Sequence, residues 1–126
     1  MAQADAREYK IQARSTDDFG RVLCSCRNHH FIADGPVQNG CPGEAITPAE
    51  LFLSGVAACG VELVQVLARQ HGVPLKSVSV ELSGVIDRSS PARRDLTLFN
   101  SVSLRFHLKG VTEDQGAQLI ESFKGR

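Results

Sequence analysis

The chain has 126 residues, with 14 basic side chains, 14 acidic ones and four cysteines. This length suits one domain over residues 1–126 with a modest core, and a domain so small gains stability by pairing. The balanced charge leaves no basic footprint for nucleic acid, and no block of like charge marks a tail.

The opening segment MAQADAREYK lacks the apolar run of a secretion signal, so a cytoplasmic location with reduced thiols is expected. Residues Glu8 to Ser15 alternate in type and predict a first strand. Asp17, Asp18 and Gly20 give a turn. Arg21 to Asp34 reads as one strand, or as two with a kink near Asn28. The stretch GPVQNGCPGEAIT that follows is rich in glycine and proline and predicts a loop.

Thr47-Pro48-Ala49-Glu50 is a capping box with proline at the first helical position. The helix is expected to run to about His71, with Gly72 as a left-handed stop and Pro74 barring resumption. Ser54, Glu62 and Gln65 interrupt its apolar run, so it reads as a core helix rather than a membrane span. Its first two-thirds is apolar on nearly every face, which predicts burial all round, with a partner subunit as the second cover. Val78 to Ile86 alternates as a strand, and Arg88 to Asp95 is a polar connection. Leu96 to Lys109 gives one long strand or a hairpin. Thr112 to Gln115 is a second capping box, opening a helix with Ala117, Leu119, Ile120 and Phe123 as its apolar residues. Strands, long helix, strands, helix: the order predicts an α+β domain with antiparallel sheet.

Several chemistries can be weighed from the residues. No dinucleotide, Walker, nucleophile-elbow or zinc-protease motif is present, and no organic cofactor is implied. Cys24 and Cys26 are two apart, so a strand puts both on one face; with His30 they would make a Cys-x-Cys-x3-His set. That set lacks the usual spacing and a fourth ligand, so two small packed side chains are the better reading and no metal is expected. Cys41, in the glycine-rich loop, is read as an ordinary exposed thiol, or as a partner for Cys59 if the loop folds over it. Taken alone, Cys59 between Ala58 and Gly60 reads as a small buried hydrophobe at a close helix contact.

The stretch from His30 to Val80 resembles the OsmC/Ohr family. The resemblance rests on HFIADGP, a glycine-rich loop, TPAELFLSGVAACG and GVPLKSVSVELSG. It implies an intertwined homodimer with long central helices and two sites at the subunit interface. It also implies reduction of organic hydroperoxides by a cysteine pair, restored by a thiol or a dihydrolipoyl protein. Cys59 matches the first, peroxide-attacking cysteine. The family's arginine-orienting glutamate would fall at Ala49; here Glu50 stands one position later, half a helical turn out of phase with Cys59. Glu50 is therefore a secondary candidate that is also explained as a cap. The family's resolving cysteine would follow the second helix, where this sequence reaches Arg126; either the C-terminal part of the family domain is missing or this member lacks that cysteine. The Glu-Leu register resembles the less characterised OsmC-like branch.

With the resemblance, Cys59 becomes a candidate reactive thiol. A mid-helix thiol gains little from the helix dipole, so an activating cation must come from elsewhere, and Arg21 and Arg27 on the early strand are the candidates. The leading expectation is thiol-dependent reduction of alkyl hydroperoxides at Cys59, with Phe52, Val56 and Leu63 lining an apolar pocket. The alternatives are a non-catalytic dimer that binds a small apolar or thiol-bearing ligand, and persulfide or other thiol chemistry at Cys59. Neither nucleic acid nor membrane is expected as a partner.

Overall fold

The structure is a computed structural model, and it describes residues 6–95 and 99–125. The chain divides into two compact units, one up to Leu51 and one from Phe52.

The first unit is a three-stranded antiparallel sheet in the order β1 (Gln12–Ser15), β2 (Arg21–Cys26), β3 (His29–Asp34). The first strand is shorter than its alternation suggests: Glu8 to Ile11 has no ladder partner. Thr16 closes the β1–β2 turn. Its hydroxyl donates to the Arg21 carbonyl at 2.9 Å and accepts from the Asp18 N–H at 3.2 Å. The kink foreseen near Asn28 is a two-residue hairpin turn in which Arg27 takes a left-handed φ of 54°. That turn length sets the register, pairing Cys26 with His29, Cys24 with Phe31 and Arg21 with Asp34. A short 3-10 turn, Val37–Asn39, interrupts the loop beyond β3.

The second unit holds most of the long helix α1 (Pro48–Gln70), then β4 (Ser77–Val85), β5 (Ser101–Lys109) and α2 (Glu113–Lys124). The helix ends as its glycine foretells. Gly72 has a φ of 66°, the Val73 N–H donates to the Ala68 carbonyl at 2.8 Å, and the Gly72 N–H donates to the Arg69 carbonyl at 3.3 Å. These two bonds form a Schellman motif. β4 and β5 pair antiparallel from Ser77–Lys109 to Val85–Ser101. Of the expected segment from Leu96, residues 96–98 lie outside the described ones, and the strand begins at Ser101. At α2 both halves of the capping box form: Thr112 Oγ1 accepts from the Gln115 N–H at 3.2 Å, and the Gln115 side chain accepts from the Thr112 N–H at 3.0 Å.

The core of this unit is Val64, Leu67 and Ala68 of α1 against Leu119 of α2. Around it pack Val78, Phe106 and Leu108 from the sheet and Phe123 from α2. Both strands alternate strictly, with Val78, Val80 and Leu82 inward and Ser79, Glu81 and Ser83 outward, so one sheet face is apolar. Phe106 and Phe123 meet edge to face at 5.2 Å. A Cβ on Gly60 would stand 3.2 Å from the Phe106 ring, so glycine lets α1 approach the sheet closely.

Within this chain α1 is covered on one face; the expected burial all round drew its second cover from a partner subunit. The fully buried residues of α1 are Gly60, Val64, Leu67 and Ala68, which share that face. Phe52, Gly55, Ala58, Cys59 and Glu62 are exposed. The reason is simple: two strands and one short helix cover a single side of so long a cylinder. By length and composition α1 could cross a membrane, yet its core face is packed on sheet and helix.

Candidate functional site

Cys59 stands halfway along α1, beside the close-packed Gly60, and its side chain is exposed. All four cysteines are free thiols. At 100° per residue, Phe52, Val56, Cys59 and Leu63 fall within an arc of about 60°. They thus form one stripe that borders the buried Gly60, Val64, Leu67 and Ala68 face, about a quarter turn round the helix from its centre. Val56 and Leu63 are half-buried and Phe52 is exposed, so the thiol lies in an apolar strip open to solvent in this chain. The bare reading of Cys59 as a buried hydrophobe is therefore not met: the neighbour that packs closely is Gly60.

Glu50, the secondary candidate, is engaged in the helix cap. Its carboxylate accepts from the Thr47 N–H at 3.0 Å and the Thr47 hydroxyl at 2.8 Å. Those bonds, the backbone one foremost, hold its pKa below the ordinary glutamate value.

Of the two candidate cations, Arg27 sits in the exposed hairpin turn. Arg21 is held by carboxylates. Its Nε and Nη2 donate to the two oxygens of Asp34 at 2.8 and 2.9 Å, and Nη2 also donates to Glu44 at 2.7 Å. These bonds raise its already high pKa further. Asp34 is wholly buried and takes two more bonds, from the backbone N–H groups of Glu44 at 2.9 Å and Ala45 at 2.8 Å. Above all the Arg21 guanidinium, and then these N–H donors, hold the Asp34 carboxyl well below the usual carboxylate range. The Asp34 N–H donates in turn to the Ile46 carbonyl at 3.1 Å. Thus Asp34 fastens the segment Glu44–Ile46, which leads directly into the Thr47 cap. Sequence reading missed this node. The only local signal was an aspartate closing an otherwise apolar strand end.

The Cys-x-Cys-x3-His reading fails on register. With a two-residue turn, His29 shares the face of Cys24 and Cys26, while His30 lies on the other face with its Nδ1 2.8 Å from Ser25 Oγ. Among the described residues no three His, Cys, Asp or Glu side chains form a set able to hold a metal. Cys41 is half-buried rather than openly exposed: its thiol packs against the Cα positions of both Gly20 and Gly35. Those two glycines are joined by a 2.8 Å bond from the Gly35 N–H to the Gly20 carbonyl.

No curated protein matches the chain. Solved structures share its fold at low identity. The OsmC-like protein from Mycoplasma pneumoniae superposes with a TM-score of 0.79 at 16% identity, over 95% of this chain and 82% of that one. An organic hydroperoxide resistance protein from Elizabethkingia anophelis gives 0.75 at 17%, over 97% and 84%. The organic hydroperoxide resistance protein OsmC from Legionella pneumophila gives 0.70 at 21%, over 94% and 83%. A sequence model described as OsmC-like protein matches residues 41–125, a span that contains Cys59, all of α1 and both strands of the second unit. On that match, and on the α+β architecture it accompanies, the chain belongs to the OsmC-like protein family.

Proposed function

We propose that this protein reduces organic hydroperoxides through Cys59, as a cytoplasmic homodimer protecting against oxidative damage. The observation that carries the reading is an exposed, free thiol on an apolar helical stripe, inside the stretch that the family model matches. Two solved structures of this fold are named as organic hydroperoxide resistance proteins, which supports the same reading. In the step envisaged, the Cys59 thiolate attacks the distal peroxide oxygen and the O–O bond breaks. The alkoxide leaves and takes a proton to become the alcohol, while sulfur is oxidised to the sulfenic acid. A first thiol of the reductant condenses with it, releasing water, and a second thiol frees Cys59 as the reductant becomes a disulfide. The apolar stripe favours an organic peroxide over hydrogen peroxide, because only the former has apolar surface to bury there.

The test is loss of cumene hydroperoxide and of hydrogen peroxide in the presence of dithiothreitol or dihydrolipoamide, for the wild type and Cys59→Ser. Rapid loss of the organic peroxide that disappears in the variant supports the proposal. Equal rates in the two proteins refute it. A second reading, a non-catalytic dimer that binds a small apolar or thiol-bearing ligand, draws on the engagement of Glu50 with Thr47 and of Arg21 with Asp34 and Glu44. Its signature is saturable ligand binding with no Cys59-dependent turnover.

A further inference from the structure

One ring on the second unit stands where a packed core would not leave it. Phe52 opens the Cys59 stripe and is 59% exposed, yet its ring lies nearly parallel to that of Phe99, 5.5 Å centre to centre and 19° between planes. Phe99 is seated in turn on Gly84. A Cβ there would stand 2.8 Å from two Phe99 ring atoms and 3.0 Å from Leu53 Cδ2. A glycine inside a strand weakens it and marks a place where something must come close. Here it breaks the inward series Val78, Val80, Leu82, and what comes close is the ring that props Phe52.

Resting on the Cys59 reading above, we propose that the Phe52–Phe99 pair is an aromatic shelf for the far end of the substrate. It selects hydroperoxides that carry an aryl group about 10 Å from the peroxide oxygens. That distance follows from the helix: Phe52 and Cys59 are seven residues apart, which is two turns and about 10 Å of rise. Both side chains lean toward the helix N-terminus, so the separation persists at their tips. Val56 lies between them on the same stripe and gives the connecting arm an apolar track. Aromatic rings prefer offset stacking to disordered contact, and a third ring extends an existing offset pair without moving it. A ligand with its ring next to the peroxide, such as cumene hydroperoxide, fails to reach the shelf when its peroxide is at Cys59.

The experiment compares phenyloctyl hydroperoxide with tert-butyl hydroperoxide on the wild type, Phe52→Leu and Gly84→Ala. In parallel, the unreactive probe phenyloctanol is titrated calorimetrically into Cys59→Ser with and without Phe52→Leu. The wild-type ratio of kcat/KM for the long aryl substrate over the short one is expected to fall about tenfold in both variants, and phenyloctanol affinity by a similar factor. If turnover is absent throughout but phenyloctanol still binds in a Phe52-dependent manner, the shelf stands and the peroxidase reading falls. A ratio and an affinity both indifferent to Phe52→Leu overturn the shelf. So does a Phe52→Leu protein that loses only its oligomeric state on gel filtration, because the pair would then be a subunit contact.

Discussion

Arg21 and Asp34 face each other directly across the β2–β3 ladder and are joined by a two-pronged ion pair, with the carboxylate wholly buried. The same carboxylate draws in the backbone of Glu44 and Ala45, so one side chain ties the sheet to the approach of α1. Removing half of a buried pair strands the other charge, which is far worse than losing an exposed one. Asp34→Asn is therefore expected to lower the urea midpoint clearly more than Glu44→Gln, whose carboxylate is largely exposed. Hydrogen exchange should show faster exchange at the Glu44 and Ala45 amides in Asp34→Asn. Equal midpoints for the two variants would contradict the assignment.

The same pair sets an acid limit. A carboxylate whose pKa is depressed by folding binds fewer protons in the folded state than in the unfolded one, so stability rises with pH across that interval. For Asp34 and, more weakly, Glu50, the contribution is complete above the ordinary carboxylate range of about 4. It is lost as pH falls from there through the depressed folded values. Melting temperatures should thus be nearly level from neutral pH to about 5 and then fall. The acid slope should shrink in Asp34→Asn, which differential scanning fluorimetry across a pH series would register.

In the second unit, Leu119 is 2% exposed against Val64, Leu67 and Ala68. Truncating it to alanine removes apolar contact and leaves a void, and should cost about 2–5 kcal/mol by chemical denaturation. A loss below about 1 kcal/mol would mean that α2 is not packed as described.

At the start of α2, Thr112→Ala deletes the hydroxyl that accepts from Gln115 and should cost about 1 kcal/mol. Thr112→Ser should retain most of that. The pair of variants separates the hydrogen bond from the methyl group, read from the same denaturation curves.

Thiol reactivity ranks the four cysteines. Cys59 is exposed, Cys26 and Cys41 are half-buried and Cys24 is buried. Brief treatment of the native protein with a maleimide, followed by peptide mass spectrometry, should find Cys59 labelled first and Cys24 last. Early labelling of Cys24 would show that the β1–β2–β3 sheet opens readily.

What was legible in the residues was local. The boxes at Thr47 and Thr112, and the glycine stop at Gly72, depend on groups three to five positions apart, and each forms as read. The family stretch around Cys59 was legible as a string of residues. The Arg21–Asp34 pair was not, because its partners are thirteen positions apart and meet only once the hairpin register is known. The same unknown misplaced His30 beside the cysteines: a two-residue turn at Arg27 and Asn28 sends His29 there instead. How the cover of α1 divides was not legible either, because composition counts apolar residues but does not say which of them this chain itself packs against.

The turn at Arg27 and Asn28 has a consequence for how this sequence can vary. One residue added there would shift β3 by a single step, carry Asp34 to the opposite face of the sheet and break its link to Arg21. An insertion of equal size between Arg88 and Asp95, an exposed connector outside both sheets, leaves every described strand pair in place. Length variation among homologues should therefore gather in the connector and be all but forbidden in the hairpin, where the chain counts residues to aim a charge.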